Sequence, residues 1–99
     1  LTPVIERHMK RELKNNQVTY YQLTQYDNRG PYIQVILSEK NRNKDVNKMA
    51  ATIAKRVFDE LTINKGLKVN QVVIQIIDPE AYEANKRKTV IGRGTAGTY

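Results

Sequence analysis

Val46, Met49, Ala50, Ile53, Ala54, Val57, Phe58 and Leu61 recur at alternating steps of three and four residues. An α-helix turns once in about 3.6 residues, so this spacing lays them along one side of one helix. Lys44, Lys48, Lys55, Arg56, Asp59 and Glu60 fall largely off that side. An apolar face this broad needs a second layer to cover it, and the rest of the chain has to supply one. Asn43 or Asp45 can cap the start of the helix. Gly66 suits a left-handed residue near its end, with Leu67 folding back as a hydrophobic contact.

The covering layer is a sheet. Residues 18–26, VTYYQLTQY, and 32–38, YIQVILS, are rich in β-branched and aromatic residues. Asp27-Asn28-Arg29-Gly30-Pro31 between them is a turn signal, so the pair reads as a hairpin. Residues 70–78, NQVVIQIID, form a third strand, stopped by Asp78-Pro79. Period-two alternation puts Ile33, Val35 and Leu37 on one face, and Tyr32, Gln34 and Ile36 on the other. It likewise separates Val72, Ile74 and Ile76 from Val73, Gln75 and Ile77. Ile53, Val57 and Phe58 are expected to pack on Val35 or Leu37 and on Ile74.

Residues 3–15 form a further helix, with Thr2 as a candidate N-cap and Pro3 at its first position. Its apolar stripe, Ile5, Met9 and Leu13 beside Val4, is narrow. A polar loop, EKNRN, leads into the long helix. Residues 80–88 suit a short helix, and Thr89-Val90-Ile91 a brief edge strand. The fold class is therefore α+β: a two-layer αββαβ sandwich with a small mixed sheet and both helices on one face. The crossover from the second strand to the third is expected to be right-handed if those strands are parallel. Strand order 2-1-3 is favoured because it keeps the hairpin intact, with 1-2-3 open. One domain spans 1–91, and 92–99 read as a glycine-rich C-terminal tail.

Ninety-nine residues without cysteine exclude disulfides, thiolate nucleophiles and Cys-based metal sites. No run of 18 apolar residues is long enough to span a membrane. The start, Leu1-Thr2-Pro3, has neither an initiator Met nor a signal-peptide pattern and reads as a piece of a longer or processed protein. Lys and Arg total 17 against 10 acids, a net charge of +7 that draws anionic partners: nucleic acid, phospholipid or acidic wall polymer.

Gly92, Gly94 and Gly97 spell GxGxxG, the pattern that cradles a dinucleotide phosphate. That site needs a following helix, whose N-terminus binds the phosphate. Only Thr98 and Tyr99 follow in this sequence, so no cofactor is expected there. Gly94-Thr95-Ala96-Gly97 fails as a KH-type nucleic-acid clamp for the same reason, because that clamp joins two helices. His8, the lone histidine, sits among basic neighbours and is expected at the surface. Asp78 and Glu80 read as a turn and a helix start rather than an acid–base pair, and nothing brings His8 to the lone serine, Ser38. No metal ligand set and no catalytic residue is assigned.

The best candidate site is basic. Arg7, Lys10, Arg11 and Lys14 line the outer side of the first helix, and Lys86, Arg87, Lys88 and Arg93 cluster near the C-terminus. Brought together they would make one anion-binding patch. Tyr20 and Tyr26 share strand parity, and Tyr32 opens the next strand. Tyrosines on an open sheet face can stack nucleic-acid bases, although cross-strand pairing explains them as well.

The helix-to-strand segment ending in GLKVNQVVIQI, with Gly66, Leu67, Val69, Val72, Ile74 and Ile76, has a familiar outline. Residues 32–78 resemble envelope-stress domains of the alkaline-shock-protein type. The whole element order is similar to that of uncharacterised extracytoplasmic domains from Bacillus-type bacteria. The resemblance implies a non-enzymatic interaction module of the cell envelope, bound to a protein partner, a second copy, or an anionic wall or membrane surface. The alternative is a cytoplasmic RNA- or DNA-binding module that uses the basic patch and the tyrosine-bearing face.

Overall fold

The computed structural model describes residues 1–97. The chain runs α1 (Thr2–Lys14), β1 (Val18–Tyr26), β2 (Pro31–Leu37), α2 (Val46–Asp59), β3 (Gln71–Ile77), α3 (Pro79–Asn85) and β4 (Val90–Gly97). The fold is α+β, as the patterning predicts, with a four-stranded mixed sheet in the order β1-β2-β3-β4. β1 and β2 are antiparallel, β2 and β3 parallel, and β3 and β4 antiparallel.

The order 2-1-3 is thus corrected to sequential strands. Burial gives the reason. β2 and β3 are shielded on both faces over most of their length, which suits central strands. In β1, Thr19, Gln22, Thr24, Gln25 and Tyr26 are exposed, which suits an edge. A central β1 would have buried its row of Thr and Gln residues.

Ile5 and Met9 of α1 and Ala50, Ile53, Ala54 and Val57 of α2 close over Ile33, Val35, Val72, Ile74 and Ile76 in one core. Ile53 and Val57 are fully buried, as expected, but Phe58 is only partly buried at the core's margin. The inward position one turn on belongs to Leu61, which is fully buried. Asp45 caps α2 by accepting hydrogen bonds from the amides of Asn47 and Lys48 at 3.0 and 3.2 Å. Thr2, by contrast, is the first residue of α1, and Leu1 in the cap position gives no side-chain hydrogen bond.

The end of α2 widens into one π-type turn, Glu60–Asn64. The amide of Lys65 reaches the carbonyl of Glu60, and that of Leu67 returns to Leu61. Gly66 makes this return possible with a φ of +65°, the left-handed conformation expected of it. Within this turn Leu61 is fully buried and Ile63 is 73% exposed.

Residues 92–97, expected as a tail, belong to β4, which pairs with β3 from Val90 to Gly97. Gly92 and Gly94 face α2. A Cβ on Gly94 would stand 2.2 Å from the backbone nitrogen of Ala51, and one on Gly92 would stand 2.6 Å from a Val46 methyl. These glycines are there because helix and strand backbones approach closely, with the small Ala50 on the facing turn. Thr98 and Tyr99 lie outside the described residues.

Candidate functional site: the α1 groove and its cationic rim

α1 carries two kinds of polar residue. One kind turns inward. Glu12 is buried and accepts two hydrogen bonds from Arg56 of α2, at 2.8 and 2.9 Å. His8 Nε2 lies 2.8 Å from Glu12 Oε2, and His8 Nδ1 lies 3.3 Å from the Arg11 guanidinium. Arg11 can only donate, so Nδ1 accepts and Nε2 carries the proton that bonds Glu12. His8 is therefore a buried bridge, 8% exposed, and not the surface residue its basic neighbours suggest. Burial pushes the Glu12 carboxyl up, but the hydrogen bonds from His8 and Arg56 outweigh it and hold its pKa at about 2.

Arg11 also pairs with Glu60 at 3.1 Å. Asn64 donates to Glu60 at 3.0 Å, and Asn64 and Arg11 together hold that carboxyl below its usual range. His8, Glu12, Arg56 and Glu60 line a polar groove of about 570 Å³ between α1 and the end of α2. Its charges are spent on one another, and they fix α1 against α2. Among the described residues no group of three His, Asp or Glu side chains is placed to hold a metal ion.

The other kind turns outward. Arg7, Lys10, Arg11 and Lys14 are all exposed. Among the described residues, Arg7, Lys10 and Lys14 form no ion pair, and Arg11 has the one with Glu60. Arg7, Arg11 and Lys65 converge on a concavity of about 340 Å³, floored by Val4, in which Glu60 is the single acid. Lys65, supplied by the turn after α2, belongs to this site and was not predicted from sequence.

The C-terminal cations do not join this patch. Lys86 lies 5.0 Å over the Tyr82 ring, and Lys88 lies 6.0 Å over Tyr20 and also bonds Gln22. Tyr20 packs on Tyr82 of α3 with ring centroids 4.9 Å apart. Tyr20 and Gln22 point away from α1, whereas the adjacent Tyr21 faces it and donates to Glu6 at 3.0 Å. Lys86 and Lys88 thus serve the opposite face of the sheet. Arg87 is exposed just past α3, and Arg93 is exposed on β4 at the far edge.

On that opposite face the strand register aligns Gln22, Gln34, Gln75 and Arg93 in one row across the sheet. Tyr26 leaves the face because a register shift between Leu23 and Gln25 reverses its parity. It stands opposite Pro31 rather than beside Tyr32. Asp78 caps α3 by accepting from the Glu80 amide, so these two acids are a helix start. Ser38 is buried, accepts from Asn41 and donates its amide to the Gln17 carbonyl, and no hydrogen bond joins it to His8 among the described residues.

No protein family, curated protein or solved structure matches the chain.

Proposed function

We propose that this is a non-enzymatic interaction domain that binds an anionic surface in the bacterial envelope through the outer side of α1. One observation carries the reading: three cations, Arg7, Arg11 and Lys65, meet around a single concavity with one acid. Lys10 and Lys14 extend the same cationic side along the helix. Converging cations raise the local concentration of anions and interact more strongly than scattered ones, and of these three Arg11 alone forms an ion pair among the described residues, with Glu60. The titratable groups of the neighbouring groove support a binding role, since Glu12 and Arg56 are committed to an ion pair. The tyrosines of the opposite face support a packing role, because Tyr20 is stacked on Tyr82 and Tyr26 lies off the face.

The test is salt-dependent titration with a soluble polyanion, long-chain polyphosphate, and with RNA and duplex DNA. Binding to polyphosphate should weaken steeply as salt rises, as counterion release requires. Lys10→Glu with Lys14→Glu should weaken it by about tenfold or more at low salt. Neither side chain forms an ion pair among the described residues, so the domain should stay folded, with the reversal at the end of α1 costing about 1 kcal/mol or less. Arg11 is left intact because it also braces His8 and Glu60. Binding to one RNA sequence that survives high salt and depends on Tyr20 or Tyr32 would replace this reading with nucleic-acid recognition. Indifference to every polyanion would leave the charge of +7 as a solubility device.

A further inference from the structure

Ile63 is the most exposed of the large hydrophobic side chains, at 73%, and it stands in the turn whose next residues, Asn64 and Lys65, form walls against α1. The helix ends here in a non-standard turn: the Lys65 amide bonds the carbonyl of Glu60, five residues back, and Ile63 lies exposed inside that turn. π-type turns recur at functional positions, and this one carries exposed Ile63 two residues before Lys65 of the cationic hollow.

From this juxtaposition we infer that the anionic surface is a phospholipid bilayer, with headgroup phosphate taken up by Arg7, Arg11 and Lys65 and Ile63 inserted among the acyl chains. The inference rests on the anionic-surface reading and specifies it. A wall polymer or a nucleic-acid backbone offers charge but no apolar phase, so exposed Ile63 gains nothing from either. A bilayer offers both, and peripheral anchors combine the two in this way. Each cation near an anionic leaflet contributes about fivefold in affinity, and one inserted Ile about tenfold. No helix among the described residues is long and apolar enough to cross a membrane, so the contact proposed is with the bilayer surface.

The chain has no tryptophan, so Ile63→Trp places a single reporter at the tip. The reporter protein is mixed with vesicles of phosphatidylglycerol and phosphatidylcholine, with vesicles of phosphatidylcholine alone, and with long-chain polyphosphate. Emission should shift to the blue with the anionic vesicles only. Ile63→Ser should weaken partitioning onto those vesicles about tenfold and leave polyphosphate affinity unchanged. Its melting temperature should match that of the unaltered protein, because the replaced side chain is exposed. Vesicle binding without a blue shift, and unaffected by Ile63→Ser, overturns the insertion while the anionic-surface reading stands. Polyphosphate or nucleic acid bound while anionic vesicles are ignored overturns the bilayer. Failure to bind both polyphosphate and anionic vesicles overturns the underlying reading too.

Discussion

Gly94→Ala adds one methyl group at the point where α2 and β4 touch. Its Cβ would lie 2.2 Å from the nitrogen of Ala51 and 2.6 Å from the carbonyl carbon of Ala50. Ordinary contacts begin at 3.4 Å, so the helix has to move away from the strand by about 1 Å. All the close atoms are backbone, so no side-chain rotation relieves the clash. A gap of about 1 Å forfeits up to half of each dispersion contact across it. Those contacts include fully buried Ala50, Ile53, Ala54 and Val57. Overpacking in a tight core costs about 1–3 kcal/mol, and a rigid obstacle belongs at the upper end. A loss of about 3 kcal/mol lowers the melting temperature of a domain this size by roughly 12–24 °C. Urea unfolding measures it directly, with a lowered midpoint and an unchanged slope. Gly66→Ala is the control: nothing lies within 4 Å of its added methyl, so only the left-handed conformation opposes it. That should cost about 1 kcal/mol. Gly92→Ala should fall between, since its methyl would stand 2.6 and 2.9 Å from Cγ2 and Cβ of Val46, side-chain atoms less close than the backbone atoms that face Gly94. If Gly94→Ala costs no more than Gly66→Ala, β4 does not lie beneath α2 and the glycines revert to a tail.

Two more outcomes follow from burial and charge. Ile53→Ala, at a fully buried position, should cost about 2–5 kcal/mol, whereas Phe58→Ala, at the core's margin, should cost clearly less; equal losses in thermal melts would refute the placement of Phe58. The Glu12 carboxyl has a pKa of about 2, below its unfolded value near 4.5, so its stabilisation is present above pH 4.5 and is lost as pH falls toward 2. Allowing for the partly exposed Arg56, this amounts to about 2–3 kcal/mol. Acid unfolding curves of the unaltered protein and Glu12→Gln should converge at low pH, and parallel curves would remove Glu12 from that role.

Much of the fold could be read from periodicity, because burial of one face writes itself into residue spacing. The alternation in α2 and the two faces of β2 and β3 are of this kind. Sheet order was readable too, but from a different signal. β1 carries Thr19, Gln22, Thr24 and Gln25 where β3 carries Val and Ile, and polarity of that sort belongs at an edge. Keeping the hairpin intact is not a discriminating argument, since both orders keep it. The register shifts around Thr19 and Thr24 have no such signature. A bulge changes parity without changing composition, so Tyr26 could not be separated from Tyr20 by counting residues. The glycine segment misled for a related reason. Glycine carries no burial signal, and its meaning here lies in Ala50 and Ala51, more than 40 residues earlier.

The site divides along the same line. The outward cations of α1 were legible because a helix whose apolar stripe is known has a known opposite side. His8 was not, because its burial depends on Glu12 one turn away and on Arg56 arriving from another helix. A charged group enters an interior only with its partners, and partners distant in sequence leave no local pattern. The same network gives the outer surface its shape. Arg56 locks Glu12 and, through it, His8; His8 and Glu60 hold the Arg11 guanidinium at the groove's rim. Arg11 therefore stands where Arg7 and Lys65 can share one anion with it, and its position depends on inward pairing. Removing Glu12 should then loosen the rim as well as the core. Glu12→Gln should weaken polyphosphate binding although it removes a negative charge, the reverse of what simple electrostatics predicts. Tighter binding by Glu12→Gln would show that the rim depends on net charge alone and that the buried bridge has no part in shaping it.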